Sequence, residues 1–324
     1  MKKISRYLTI LCCSACLFSC TSPQPYRQAE PATIIRYEQD LFALDKTNLK
    51  PGLQKLKDSY PVFLGGDIND TLNLIQLAGY LNDPLINEFY NDCQQKYPDL
   101  QFLEEEMGIL IQNYKTYFPD KETFSVYTYV SGLDFKHPVV FIDSMLLISL
   151  DMYLGTDYKH YDQLGIPKYI SRQFTKENIA RDAAESVIRR VMPGISGTTL
   201  LEEMITEGIA LFGIHQLAPF LSPEIVIQYT PEQFNWCKKH EKELWAFLLK
   251  NDILFSPDPK YKKEFLLTGP SSPEFGDIAP ARLGQFIGWQ IVQAFQIKNP
   301  DISVKQIIEY QDAEALLKQA NYKP

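Results

Sequence analysis

The chain has 324 residues, 45% of them hydrophobic, and a formal net charge of −8. That balance excludes the electrostatic footprint of nucleic-acid binding and suits an acidic lipid leaflet poorly. Four histidines are present, His137, His160, His215 and His240, and no two stand three or four residues apart, the spacing at which imidazoles share a metal.

Lys2, Lys3 and Arg6 precede an apolar run from Tyr7 to Phe18, with no acidic residue before Glu30. This is the charge layout of a secretory signal, and the run is short for a permanent membrane span. It ends Leu17-Phe18-Ser19-Cys20, which resembles a bacterial lipoprotein cleavage site. The reading is a signal peptide over 1–19 and acylation (palmitate) at Cys20. A plain signal with an incidental cysteine is the alternative. Removing the signal takes away three positive charges and moves the net charge to −11. Cys12, Cys13 and Cys16 leave with it, so Cys93 and Cys237 remain, and they are expected to be buried free thiols rather than a disulfide scaffold. Residues 20–33, rich in proline and polar side chains, read as a tether with a reach of ~40–45 Å. The remainder, 34–324, reads as one domain with no internal repeat.

Ile34 to Leu44 suggests a strand running into a helix. From Asp70 to Lys115 apolar residues recur at helical spacing, interrupted at Asp83-Pro84 and Tyr97-Pro98-Asp99. Three apolar segments follow, 124–130, 139–142 and 146–150, and read as strands. Helices are then expected over about 175–191, 198–217, 231–250, 282–298 and beyond Asp312, with a turn-rich loop over 269–280. Strands followed by helices imply an α+β class: a predominantly helical domain with a small antiparallel sheet. No glycine-rich loop follows a strand, so a nucleotide site has no support.

The segment R181-D-A-A-E-S-V-I-R-R190 places Glu185 where a zinc peptidase helix carries the glutamate that activates its metal-bound water. The two ligand positions, one helical turn apart, are then Ala184 and Ile188, which offer no lone pairs. Downstream, Ile205-Thr-Glu-Gly-Ile-Ala210 matches the arrangement of a third ligand, with Glu207. Taken alone, a single glutamate on an amphipathic helix reads as a solvated one. Glu203 and Glu207 lie one turn apart and need counter-charges. Arg282, beside the small pair Gly284 and Gly288, is expected to pair with Glu207 or with the carboxylate of a peptide ligand's C-terminus.

Several segments together resemble the gliding motility lipoprotein GldB family: Arg36-Tyr-Glu-Gln-Asp-Leu-Phe42, Tyr127-Thr-Tyr-Val-Ser-Gly132, Asp143 through Gly155, Pro167-Lys-Tyr-Ile170, Glu203 through Gly208, Arg282 through Val292 and Tyr322-Lys-Pro324. The resemblance covers nearly everything after the tether. It implies a zincin-like fold related to metallopeptidases that have lost their histidines, hence a pseudoenzyme in which Glu185 and Glu207 are vestigial. It also implies an envelope protein, anchored to the outer membrane through Cys20, that serves gliding motility or a secretion machinery and contacts other envelope proteins, with no cofactor and no metal.

Two other readings stand beside it. A divergent metallopeptidase would use Glu185 and Glu207 with His160 or His215. A sugar-binding lipoprotein would need exposed tryptophans, whereas Trp236, Trp245 and Trp289 all fall on amphipathic helices and are expected to pack inward. An exposed strand edge in 124–131 or 146–150 is a further candidate for pairing with an extended peptide.

Overall fold

The structure, a computed structural model, describes residues 29–193, 197–276 and 278–324. The expected signal peptide, the lipidation at Cys20 and the tether as far as residue 28 lie outside the described residues. The last tether residues already belong to the domain. The Ala32 N–H donates to the Glu104 carbonyl at 2.8 Å, and at Gly108 an added Cβ would stand 2.3 Å from the Glu30 carbonyl oxygen.

Strand β1 (Ile34–Arg36) leads directly into α1 (Tyr37–Phe42), followed by α2 (Leu49–Leu56), α3 (Pro61–Leu64), α4 (Thr71–Asn82), α5 (Pro84–Lys96) and α6 (Gln101–Tyr117). The break at Asp83-Pro84 has a local cause. The Asp83 carboxylate accepts from the Leu85 and Ile86 N–H groups, and Pro84 occupies the first helical position, where no N–H is needed. Then come β2 (Ser125–Tyr129), β3 (Val139–Ile142) and β4 (Met145–Ser149). Helices fill the rest: α7 (Lys159–Gln163), α8 (Lys168–Ser171), α9 (Lys176–Val191), α10 (Leu200–Leu217), α11 (Pro223–Ile227), α12 (Pro231–Lys250), α13 (Pro259–Leu266), α14 (Leu283–Lys298), α15 (Val304–Ile308) and α16 (Ala313–Ala320). The class is α+β, as expected.

The sheet is mixed, not antiparallel. Its order is β1-β2-β4-β3, with β1 parallel to β2, β2 parallel to β4, and only β3 antiparallel, to β4. Asp143 and Ser144, both at positive φ, join β3 to β4 in a two-residue hairpin, which fixes that pair as antiparallel. Strand β4 then turns its other edge to β2 and runs parallel to it. The segments expected to offer an open edge, 124–131 and 146–150, are therefore the two interior strands; the edges are β1 and β3.

Alternate residues of the interior strands serve two cores. Val126, Leu146 and Ile148 join the large cluster built on α6, α9, α10 and α14. Tyr127, Leu147, Tyr129 and Met145 join a smaller cluster with Tyr37, Leu41, Leu53, Tyr60 and Leu81 of the N-terminal helices. Burial on both faces explains why these strands read as nearly continuous apolar runs. In the larger core α10 and α14 touch backbone to backbone: a Cβ at Gly208 would lie 2.3 Å from the Gly288 carbonyl carbon, and one at Gly288 1.8 Å from the Met204 carbonyl oxygen.

Buried polar anchors explain several of the segments quoted above. Asp151, fully buried, accepts from the Ser131 N–H (2.9 Å), the Leu133 N–H (2.7 Å) and the Ser149 hydroxyl (2.6 Å), tying the turn after β2 to the end of β4. Glu38 accepts from Arg36 Nε and from the Thr128 hydroxyl, both at 2.8 Å, and ties α1 to β2. Tyr322 donates to Glu241 at 2.8 Å and fastens the C-terminus to α12. Cys93 and Cys237 are free and buried.

Candidate functional site

Helix α9 has two faces. Ile179, Ala180, Ala183, Ala184, Val187 and Ile188 are fully buried. Arg181, Glu185 and Arg189 stand four residues apart, share another stripe, and line a cleft of about 760 Å³. Helix α10 enters under a capping box, with the Thr199 hydroxyl and the Glu202 carboxylate each satisfying the other residue's backbone N–H, and brings Glu203 and Glu207 to the same cleft. Lys262 and Lys263 come from α13, Gln228 from the end of α11, and Arg282 and Gln285 from the start of α14.

One guanidinium organises the carboxylates. Arg189 donates to Glu207 through Nη1 at 2.9 Å and Nη2 at 2.7 Å, a two-pronged pair, and to Glu185 through Nε at 3.1 Å and Nη2 at 2.9 Å. The other carboxylate oxygen of Glu185 accepts from Arg181. Arg181, whose side chain is only 5% exposed, also donates to Asp182 at 3.0 Å and to the Val226 carbonyl at 3.1 Å. Asp182 is held by the Tyr153 hydroxyl at 2.8 Å and Gln228 Nε2 at 3.1 Å. Glu203 pairs separately with Lys262 at 3.1 Å.

These contacts set the charge states. Burial pulls the Glu185 carboxyl upward, but the positive charges of Arg181 and Arg189, with their hydrogen bonds, outweigh it and hold it down at about 2. For Arg189 burial works against the charged form, and the two glutamates more than compensate, raising its pKa. Asp182 moves upward, because burial outweighs the attraction of Arg181.

Ala184 and Ile188 point away from the cleft, into the core; Ile188 packs where a Cβ at Gly213 would stand, 2.8 Å from its Cδ1. The expected pairing of Arg282 with Glu207 does not occur. Arg189 lies on α9 directly across from Glu207 and takes that role. Arg282 instead donates through Nη2 to the carbonyls of Ile227 (2.8 Å) and Gln228 (3.1 Å), and its guanidinium lies 5.3 Å over the Tyr229 ring. Both Arg282 and Gln228 sit at positive φ, so two left-handed residues meet at the cleft floor.

The histidines stand apart from the carboxylates. His160 pairs with Glu88 at 3.2 Å and accepts or donates to Gln163 at 2.8 Å, near Phe89 and Tyr158. His215 packs edge-on to Trp289, and burial lowers its pKa. His137 pairs with Asp134 in a turn, and His240 with Glu243. None lines the cleft. Among the described residues no group of three or more histidine, cysteine, aspartate or glutamate side chains is placed to hold a metal ion. The tryptophans pack inward, Trp289 buried and Trp236 and Trp245 against the main core.

The Arg181–Glu185–Arg189 stripe is legible in the sequence as charges of alternating sign at successive turns. Its partner Glu207 is not, because the 18-residue separation says nothing of which helix faces which. Among the described residues, no helix is long and apolar enough to cross a membrane. Neither the curated proteins nor the solved structures yield a match to the chain. Residues 21–324 match the family described as gliding motility protein GldB, which spans the whole described fold and the cleft, and the chain belongs to that family.

Proposed function

We propose that the protein is a lipid-anchored component of the bacterial envelope, associated with gliding motility or its secretion machinery, that binds a peptide without cleaving it. Family membership supports the association with gliding motility. The layout of the N-terminal segment ending at Cys20 supports the anchor and an outer-membrane location.

The non-catalytic reading rests on one observation: the Arg189 guanidinium sits between Glu185 and Glu207, bonded to both. In a zincin-like site of this layout a metal ion would neutralise the carboxylate ligand, and a glutamate held ready for a proton would activate the bound water. Here a side-chain cation neutralises both acids. A glutamate held near 2 is a poor proton acceptor at neutral pH. Ala184 and Ile188, both fully buried, offer no ligand atoms. The divergent metallopeptidase is disfavoured by the same geometry, since His160 and His215 do not reach the carboxylates' cleft.

The test is metal content and hydrolysis. The purified lipoprotein is expected to carry no stoichiometric zinc and to leave a peptide mixture intact. Zinc at one equivalent together with cleavage abolished by Glu185→Gln would refute the proposal.

A further inference from the structure

We infer that the cleft beside Arg189 recognises a carboxylate, specifically the C-terminal carboxylate of a peptide with an apolar last residue, on Arg282 and Lys263. The inference rests on the reading of the cleft as a peptide-binding site and adds the chemistry of what enters it.

The charges that line the cleft do not balance. Three carboxylates line it, and each has its cation: Glu185 and Glu207 share Arg189, Glu185 also takes Arg181, and Glu203 takes Lys262. Two cations are left over. Arg282 is 95% buried, yet it has no carboxylate partner among the described residues. Only its Nη2 is satisfied, by two carbonyls, while Nε and Nη1 have no acceptor there. Both donors open to the cleft rather than being sealed in the core, and a guanidinium with no counter-charge at ion-pair distance attracts an anion to which each can give a single hydrogen bond. Lys263, exposed and unpaired among the described residues, stands on α13 at the same cleft. Arg282 is also the N-cap of the 16-residue helix α14, whose positive end adds to the attraction for an anion.

The rest of the lining selects what carries the anion. Leu211 and Ile214 of α10 and Leu266 and Leu267 at the end of α13 give the cleft an apolar wall. Leu267, 58% exposed, stands at the rim. A carboxylate attached to an apolar side chain satisfies both halves; an internal acidic residue in a polar segment satisfies one.

The probes are acetyl-Ala-Ala-Leu and the same peptide as its C-terminal amide, titrated calorimetrically into the full lipoprotein in detergent. The free acid is expected to bind about tenfold more tightly than the amide, with a preference that shrinks as salt rises. Lys263→Gln, at an exposed position, and Arg282→Lys, which keeps the charge but loses the Nε and Nη1 donors, should each reduce that preference at least about threefold. If Arg282→Lys melts early, Lys263→Gln decides. Equal affinity for acid and amide overturns the carboxylate inference and leaves a peptide cleft standing. A preference untouched by both substitutions overturns it as well. Binding of neither peptide overturns the cleft reading and the inference together.

Discussion

Arg189 is the residue on which the cleft's chemistry turns, because removing it leaves two part-buried carboxylates facing each other. Arg189→Met is expected to cost about 1–3 kcal/mol in urea denaturation, and the added change Glu207→Gln should recover part of that loss. Additive losses in this double-mutant cycle would show that the pair is not coupled. The pH behaviour follows from Glu185. Its carboxyl is held near 2, below its ordinary 4.5, so its contribution is complete above about pH 4.5 and disappears as the pH falls toward 2. Glu185→Gln should flatten acid unfolding in that window. Glu106 has the opposite sign. Burial pushes it up to about 7, and its Oε2 has no partner among the described residues, so its ionisation removes stability as the pH rises from about 4.5 through 7. Glu106→Gln is expected to raise the melting temperature at pH 8 and to leave it unchanged at pH 4.

At the scale of elements, the crossing of α10 over α14 depends on two hydrogens where any other residue has a side chain. Gly288→Ala would place a methyl 1.8 Å from the Met204 carbonyl oxygen, so the helices must separate; a loss of about 3 kcal/mol or more is expected in denaturant titration. Gly79, inside α4, has no heavy atom within 4 Å of its would-be Cβ. Gly79→Ala should therefore stabilise by about 0.5–1 kcal/mol through helix propensity alone. A similar outcome for the two substitutions would contradict the packing described. The sequence shows Gly288 only as one of a small-residue pair, and its use differs from that of its neighbour: Gly284 meets Phe265 and Leu266 of α13, whereas Gly288 meets α10.

Across the whole molecule the sheet divides a large core from a small one. The N-terminal cluster rests on few fully buried side chains, and α4 leaves Leu72 and Ile75 67% and 61% exposed, whereas α10 and α14 are buried along most of their length. Amides of α4 are therefore expected to exchange faster than those of α10 in native-state hydrogen exchange, opening without global unfolding. Equal protection in the two helices would show that the cores open as one unit.

What the sequence determined alone was local: the breaks at Asp83-Pro84 and Tyr97-Pro98, the helical periodicity of α9, α10, α12 and α14, the strand character of 125–149, the apolar side chains at positions 184 and 188, and the segments that carry the family resemblance. Each is decided by residues a few positions apart, through backbone sterics, capping and side-chain period. Tertiary structure decided the rest. The sheet became mixed because β2 lies parallel both to β4 and to β1, the latter from about ninety residues away, while only β3 runs antiparallel, and strand order, unlike strand propensity, is not written in any short window. Glu207 found Arg189 rather than Arg282 because the two glycines set how closely α10 meets α14, while α9 presents its charged stripe to the same groove. Which charges end up paired, and which guanidinium is left without a carboxylate, depends on distances of a few ångströms between chain segments that only the packed core brings together.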